Sequence, residues 1–294
     1  MKMKNNILFS ICILFTALLF MPGCSYFEYQ TKAPARPPAY AYYKDSYMRA
    51  SYASGRGINT AANNYNDSYT TYTYKAASFD RVEVKGYADV LLAKGKMSVT
   101  SNQVRYLPPA YIAVRNRVLI VDVPRQNVGQ VFITIKAPVF TNITAINNVF
   151  IHSKNIVAKQ LSIETSDSAS VNLRGDINLR NIQQSGASRV DVSWINSKLV
   201  NVDAAGNGYI YLAGAAKTLL LKLKGSTILD ARYLRAEEVN ALTTDKAKAH
   251  IFATMKMNAY ADVKSTIYYH NKIFKNMATY SNDEGNVLQT DVLP

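Results

Sequence analysis

Cysteine is almost missing from this chain: 294 residues contain only Cys12 and Cys24, both near the start. No disulfide can form within the rest, so its stability must come from packing. Acidic residues are also scarce. Twenty Asp and Glu face 34 Lys and Arg, a formal charge of +14, which points to a polyanionic surface as neighbour. The cations are scattered with no Lys/Arg block, so nucleic acid is not an expected partner. The three histidines, His152, His250 and His270, lack Cys, Asp or Glu at metal-ligand spacing, and neither a metal nor a cofactor is expected. Nucleophile elbow, Walker loop and dinucleotide glycine pattern are all absent, so no catalytic residue is assigned. No window of a dozen residues carries a helical period, which makes the class all-β.

What is present begins with Lys2 and Lys4, then an apolar run from Ile7 to Met21. That is the charge and length pattern of a secretory signal, too short for an ordinary membrane-spanning helix. Met21-Pro22-Gly23-Cys24-Ser25 follows and resembles the lipobox of bacterial lipoproteins. The peptidase needs a small residue beside the scissile bond, and the thiol must lie at the bilayer surface to take its lipid. Residues 1–24 are therefore expected to be a lipoprotein signal with Cys24 as the acylated (palmitate-type) residue, anchored more firmly than by one chain alone. Met21-Pro22 departs from the usual Leu and small residue. Ser25 lacks the inner-membrane retention Asp, so the resemblance implies a lipid anchor in the bacterial outer membrane.

Residues 25–77 are expected to be a flexible tether. Eleven tyrosines lie between positions 25 and 74, mixed with Pro34, Pro37, Pro38 and many Ser, Asn, Thr and Ala. Ile58 is nearly the only aliphatic residue, so little surface is available to offset ordering entropy.

The body is expected over 78–294. Phe79-Asp80-Arg81-Val82-Glu83-Val84-Lys85-Gly86 alternates apolar and polar and ends on a turn residue, as a half-buried strand does. Further strand signals run through Val118–Val123 and Val131–Ile135, stopped by Pro138. Between 161 and 269 a phrase recurs six times, clearest as Ser185-Gly186-Ala187-Ser188-Arg189-Val190-Asp191-Val192. Its turn positions Asp167, Gly186, Gly206, Gly225 and Asp245 are 19 or 20 residues apart. That period signals stacked supersecondary units. Two short strands and two turns per unit would make one coil of a parallel β-solenoid, with Leu161, Ile163, Val171, Leu173, Val190, Val192, Val202, Ile210 and Leu212 pointing inward. A β-sandwich, the rival, gives no reason for one tetrapeptide to recur.

Phe79-Asp80-x-Val82-x-Val84-x-Gly86, the Val118–Val123 strand, Ile133-x-Ile135-x-x-Pro138 and the recurring Ser-Gly-Ala-Ser phrase resemble the putative auto-transporter adhesin, head GIN domain family. The resemblance covers about residues 79 to 270. It implies a right-handed β-helix-like body on a lipid-anchored or secreted envelope protein, with no defined ligand. Thr244-Asp245-Lys246-Ala247 and Val263-Lys264 depart from the Gly-Ala pair, and these degenerate repeats are expected to form the cap.

A non-catalytic role follows: an adhesin or polysaccharide-binding module, with an anionic polysaccharide or a host or cell-surface glycan as partner. The expected ligand face carries Tyr209, Tyr211, Tyr233, Tyr268, Arg174, Arg189 and Lys222, with Tyr260, Tyr269 and Lys264 as further members. The alternative is a β-helix lyase or hydrolase using Asp191 and Asp230, two repeats apart and about 10 Å along the stack. A periplasmic scaffolding lipoprotein is the third reading. His250 and His270, one repeat apart, are expected to lie near each other on a solvated face.

Overall fold

The computed structural model describes residues 69–74, 76–104, 110–125, 131–270 and 276–290. Cys24 and the signal region lie outside these, as does most of the expected tether. All regular structure among the described residues is strand. The first nine strands are short: β1 Tyr69–Tyr74, β2 Arg81–Gly86, β3 Ala88–Lys94, β4 Ser98–Val104, β5 Tyr111–Arg115, β6 Val118–Val123, β7 Val131–Ala137, β8 Phe140–Asn147 and β9 Phe150–Ser153. Then come β10 Ile156–Thr165, β11 Ser170–Gln184, β12 Arg189–Ala204, β13 Tyr209–Leu223, β14 Ile228–Thr243 and β15 Lys248–Ala261. β16 Thr266–Tyr269, β17 Asn276–Ser281 and β18 Asn286–Gln289 close the series.

From β10 to β15 each strand pairs in parallel with its successor, one coil on the next, and the last coil is split, β15 pairing with both β16 and β17 and β16 with β18. The expected solenoid is what the chain forms, with seven tight turns from Asp167 to Asp283. All nine expected inward residues are fully buried.

The turn explains the recurring phrase. Its second residue adopts positive φ at Asp167, Gly186, Gly206, Gly225, Asp245 and Val263. Turns then bond to one another: Ala187 N–H donates to Asp167 O at 2.7 Å, Asn207 to Gly186 O at 2.9 Å and Ser226 to Gly206 O at 2.6 Å. A Cβ on Gly206 would lie 2.5 Å from the Gly186 carbonyl oxygen, so glycine serves the close approach as well as the torsion. The fourth residue is small and buried at Ala169, Ser188, Thr227, Ala247 and Ser265. Where it carries a hydroxyl, the group closes the turn: Ser188 Oγ donates to Ser185 O and Thr227 Oγ1 to Lys224 O, both at 3.0 Å.

Three expectations need correction. Each coil has one tight turn, not two. At the next corner the strand continues through a bulge, where Ser193 and Trp194 together oppose Ala213 between the pairs Val192–Leu212 and Ile195–Gly214. A bulge bends a strand without ending it, so it leaves no turn signature in sequence. Secondly, Tyr69–Tyr74, inside the expected tether, forms β1 antiparallel to β4; Tyr72 packs against the core and Tyr74 is buried in it, supplying the apolar area that aliphatics do not. Thirdly, the degenerate repeats at 244–247 and 262–265 make the same stacked turn, Lys264 N–H donating to Asp245 O at 2.9 Å. The stack runs on through β17 and β18, which are largely exposed.

Candidate functional site

Parallel register turns strand alternation into rows. Counting from each tight turn, the first outward row is Phe132, Asp89, Phe150, Ser170, Arg189, Tyr209, Ile228, Lys248 and Thr266. The second is Leu91, His152, Asn172, Asp191, Tyr211, Asp230, His250 and Tyr268. Neighbours in a row are about 4.8 Å apart. A third line follows the bulged corner, through Arg174, Ser193, Ala213 and Tyr233.

Six of the seven expected ligand-face residues therefore share one face. Lys222 does not: it stands in register with Asp203 and Leu242 on the other side of the bulged corner. Tyr260 pairs with Leu242, so it belongs with Lys222.

The centre of the face is a connected cluster. Arg189 places its guanidinium 4.6 Å from the Tyr209 ring centroid while its Nε donates to Asp191 at 2.8 Å. Two residues beyond Asp230 the chain curls back, and Arg232 donates from Nε at 2.9 Å and Nη2 at 2.7 Å in a bidentate pair. The Tyr211 and Tyr233 rings lie 6.2 Å apart, tilted by 53°. Burial raises the pKa of both Tyr209 and Tyr211, aided by the charge of Asp230, so both remain neutral hydroxyls. Burial would also raise the Asp230 carboxyl, but its hydrogen bonds to Arg232 outweigh this and hold it below the ordinary value.

Trp194 is not among the residues the sequence singles out, yet it is the most exposed aromatic side chain of the described body. Strand alternation would place it inside with Val190 and Val192. Instead it sits at φ 65° in the bulge and is 64% exposed, on the corner that also carries Arg174 and Tyr233. The available signal was its being the chain's single tryptophan. Phe132 and Phe150, 45% and 39% exposed, also escaped notice because their rows exist only once the coils stack.

The histidines depart from the solvated face expected of them. His250 Nδ1 lies 3.2 Å from His270 Nε2, and the Tyr268 ring stacks on His250 at 4.7 Å. His270 is buried. Desolvation, then the neighbouring His270, lowers the pKa of His250. Further along the row, His152 Nδ1 is 3.1 Å from Asp89 Oδ1 and its ring stacks on Phe150. Among the described residues no three His, Cys, Asp or Glu side chains are grouped to hold a metal, and no helix is long and apolar enough to cross a membrane.

No curated protein matches this chain. Among solved structures it is similar to a putative adhesin from Parabacteroides merdae, at 18% identity and TM-score 0.67, covering 77% of this chain and 98% of that one. A putative lipid binding protein from Parabacteroides distasonis aligns at 14% identity and TM-score 0.64, over 77% and 98%. A putative adhesin from Bacteroides fragilis aligns at 18% identity and TM-score 0.56, over 76% and 97%. These likenesses are of fold. The family described as "Putative auto-transporter adhesin, head GIN domain" matches residues 78–272, and with its turns, rows and strand order already established, the chain belongs to that family.

Proposed function

We propose that this protein is a non-catalytic envelope adhesin that holds a surface polysaccharide across the Arg189–Tyr209–Tyr211–Tyr233–Trp194 face, carried on the outer membrane by a lipid at Cys24. The observation that carries the polysaccharide reading is the gathering of exposed or half-buried aromatics beside guanidinium–carboxylate pairs on one face and its bulged corner. Aromatic faces stack on sugar rings, and rigid rings give contact area at low entropic cost. Family membership supports an adhesin that acts at the cell surface. The Cys24 anchor rests on the lipobox residues, which lie outside the described structure.

The hydrolase alternative is less well supported. Glycoside hydrolysis needs one protonated carboxyl and one free carboxylate across an open bond site. Here Tyr211 stands in register between Asp191 and Asp230. Each acid is paired to its own arginine, and Asp230 is held ionised.

Trp194 supplies a direct test. Titrating the protein with neutral and acidic surface polysaccharides should shift the emission of this single tryptophan to the blue as a sugar covers it. Tyr211→Ala and Tyr233→Ala should each weaken binding about tenfold, equivalent to roughly 1.4 kcal/mol, while Lys222→Gln should leave it unchanged. Emission indifferent to every polysaccharide would remove the reading. Turnover of a glycan that Asp191→Asn abolishes would favour the hydrolase.

A further inference from the structure

One end of the same face has a different character. In the coils of β7, β3 and β9 the outward side chains include Phe132 and Phe150, 45% and 39% exposed, with Leu91 half-buried beside them. Asp89 lies between the two phenylalanines in register and is largely covered, its Oδ1 turned to His152. A few residues on, at the corner, come Lys136, Lys94 and Lys154, one from each of these coils, followed by Arg174 on β11. Lys136 is in register with Ala93, and Lys154 follows the Leu92–Ser153 pair. Ser153 accepts the backbone N–H of Arg174 at 3.0 Å, which fixes the next coil against this one. Lys96 joins them across the turn: a Cβ added at Gly95 would lie 3.6 Å from Cδ of Lys136, so that stem runs between Lys94 and Lys96.

All five cations are exposed. Among the described residues none of them forms an ion pair with a carboxylate. By contrast, the arginines of the central cluster are matched to Asp191 and Asp230. Beside the lysines the surface dips into a shallow hollow of about 420 Å³ lined by Leu91, Lys94, Lys154 and Asn155.

We infer that this end of the face docks on an anionic lipid bilayer, the lysines engaging headgroup phosphates while Phe132 and Phe150 enter the interface. The chemistry is specific to that occupant in two ways. Unpaired lysines clustered within a Debye length of a negative membrane act together. Lysine stems also let the ammonium groups stay in the headgroup layer while their carbons and the phenyl rings reach below it. A polyanion without ring or apolar surface would satisfy the lysines but leave Phe132 and Phe150 in water; an acidic polysaccharide, whose rings offer such surface, is told apart by the test below. The site adjoins the Trp194–Tyr233 corner at Arg174, but its lysines and phenylalanines belong to the coils of β7, β3 and β9, and it does not depend on the polysaccharide reading.

The test uses the body from residue 69 onward, free of signal and lipid. That body holds every described strand and the buried core, and similar solved structures are matched over 97–98% of their own length. Co-sedimentation would be measured with phosphatidylcholine vesicles, with and without phosphatidylglycerol, at low and high salt. Binding should require phosphatidylglycerol and fall with salt. Lys94→Gln and Lys154→Gln should each weaken it about fivefold. Phe132→Ser and Phe150→Ser should weaken it at every salt concentration, and Trp194→Ala should leave it unchanged. A thermal melt for each variant separates lost binding from lost folding. Equal binding to neutral vesicles, lysine variants that bind as well as the parent, or lysine-dependent binding to acidic polysaccharide without any to vesicles would each overturn the inference. A lost Trp194 response to polysaccharide together with retained vesicle binding would sink only the polysaccharide reading.

Discussion

Val263 sits at φ 56°, a left-handed conformation that a β-branched side chain seldom adopts. The six other tight turns solve the same geometric demand with Gly186, Gly206, Gly225, Asp167, Asp245 or Asp283. Aspartate is suited to it because its short polar group can bond locally; the Asp245 carboxylate accepts from Thr244 Oγ1 at 3.3 Å and, from the neighbouring coil, the Gly225 N–H at 2.9 Å. Val263 has no such compensation and is 39% exposed, so Val263→Gly should raise stability by about 1 kcal/mol, read as a higher urea midpoint. The opposite substitution belongs at the bulged corner. A Cβ on Gly214 would lie 2.2 Å from the Ile195 carbonyl oxygen, and Gly214→Ala should cost more than about 2 kcal/mol. His250 carries the pH dependence. Its pKa is lowered in the folded chain, so the unfolded chain binds the proton more readily. The stabilisation is fully present above the unfolded value of about 6.5 and is lost as pH falls through the folded one. The urea midpoint should therefore decline below about pH 6.5, and His250→Gln should flatten that decline. Asp230, whose pKa is also lowered, acts in a separate and more acidic window, below the ordinary carboxylate value.

At the scale of the element, the outward side of the coil beyond the bulge carries an amide ladder. Asn201 donates to Asn181 at 3.0 Å and Asn258 to Asn240 at 2.7 Å. The column is broken by Leu220, in register between Asn201 and Asn240. Leu220→Asn should join the two halves and add about 1 kcal/mol, measurable as a raised melting temperature. Inside the coil the stakes are larger. Leu212 is fully buried between Val192 and the next coil, and Leu212→Ala should cost about 2–5 kcal/mol. The spacing of buried residues along β12 (Val190, Val192, Ile195, Ser197, Val200, Val202, Ala204) also marks two changes of strand phase. One coincides with the Trp194 bulge, where alternation read from sequence puts the tryptophan on the wrong side.

For the molecule as a whole, the two ends of the stack differ. At the N-terminal end antiparallel strands close the pile, β5 against β6 and β1 against β4. At the other end β17 pairs only with β15 and β18 only with β16 among the described strands. The terminal coil presents Met277, Tyr280 and Leu288 at 51%, 58% and 45% exposure. In a stack held by nearest-neighbour contacts, removing a terminal unit shortens the rod without unfolding the rest. A chain ending at His270 should keep its β circular dichroism and a single melt, displaced downward; a disordered product would show that the last coil is part of the cooperative core.

Sequence alone determined the repeat, the all-β class and the inward rows, because each depends on contacts local to one coil. Gly186 and Ser188 report their turn directly, and Val190 and Val192 report their strand face. Tyr209, Tyr211 and Arg189 could be placed outward for the same reason. Only the stacked structure decided which outward residues meet. Parallel register put Asp191, Tyr211 and Asp230 in one row and left Lys222 around the corner. A bulge exposed Trp194, and three separate coils brought Lys136, Lys94 and Lys154 together. Such meetings depend on register between residues about 20 or more positions apart, and no local pattern encodes that register.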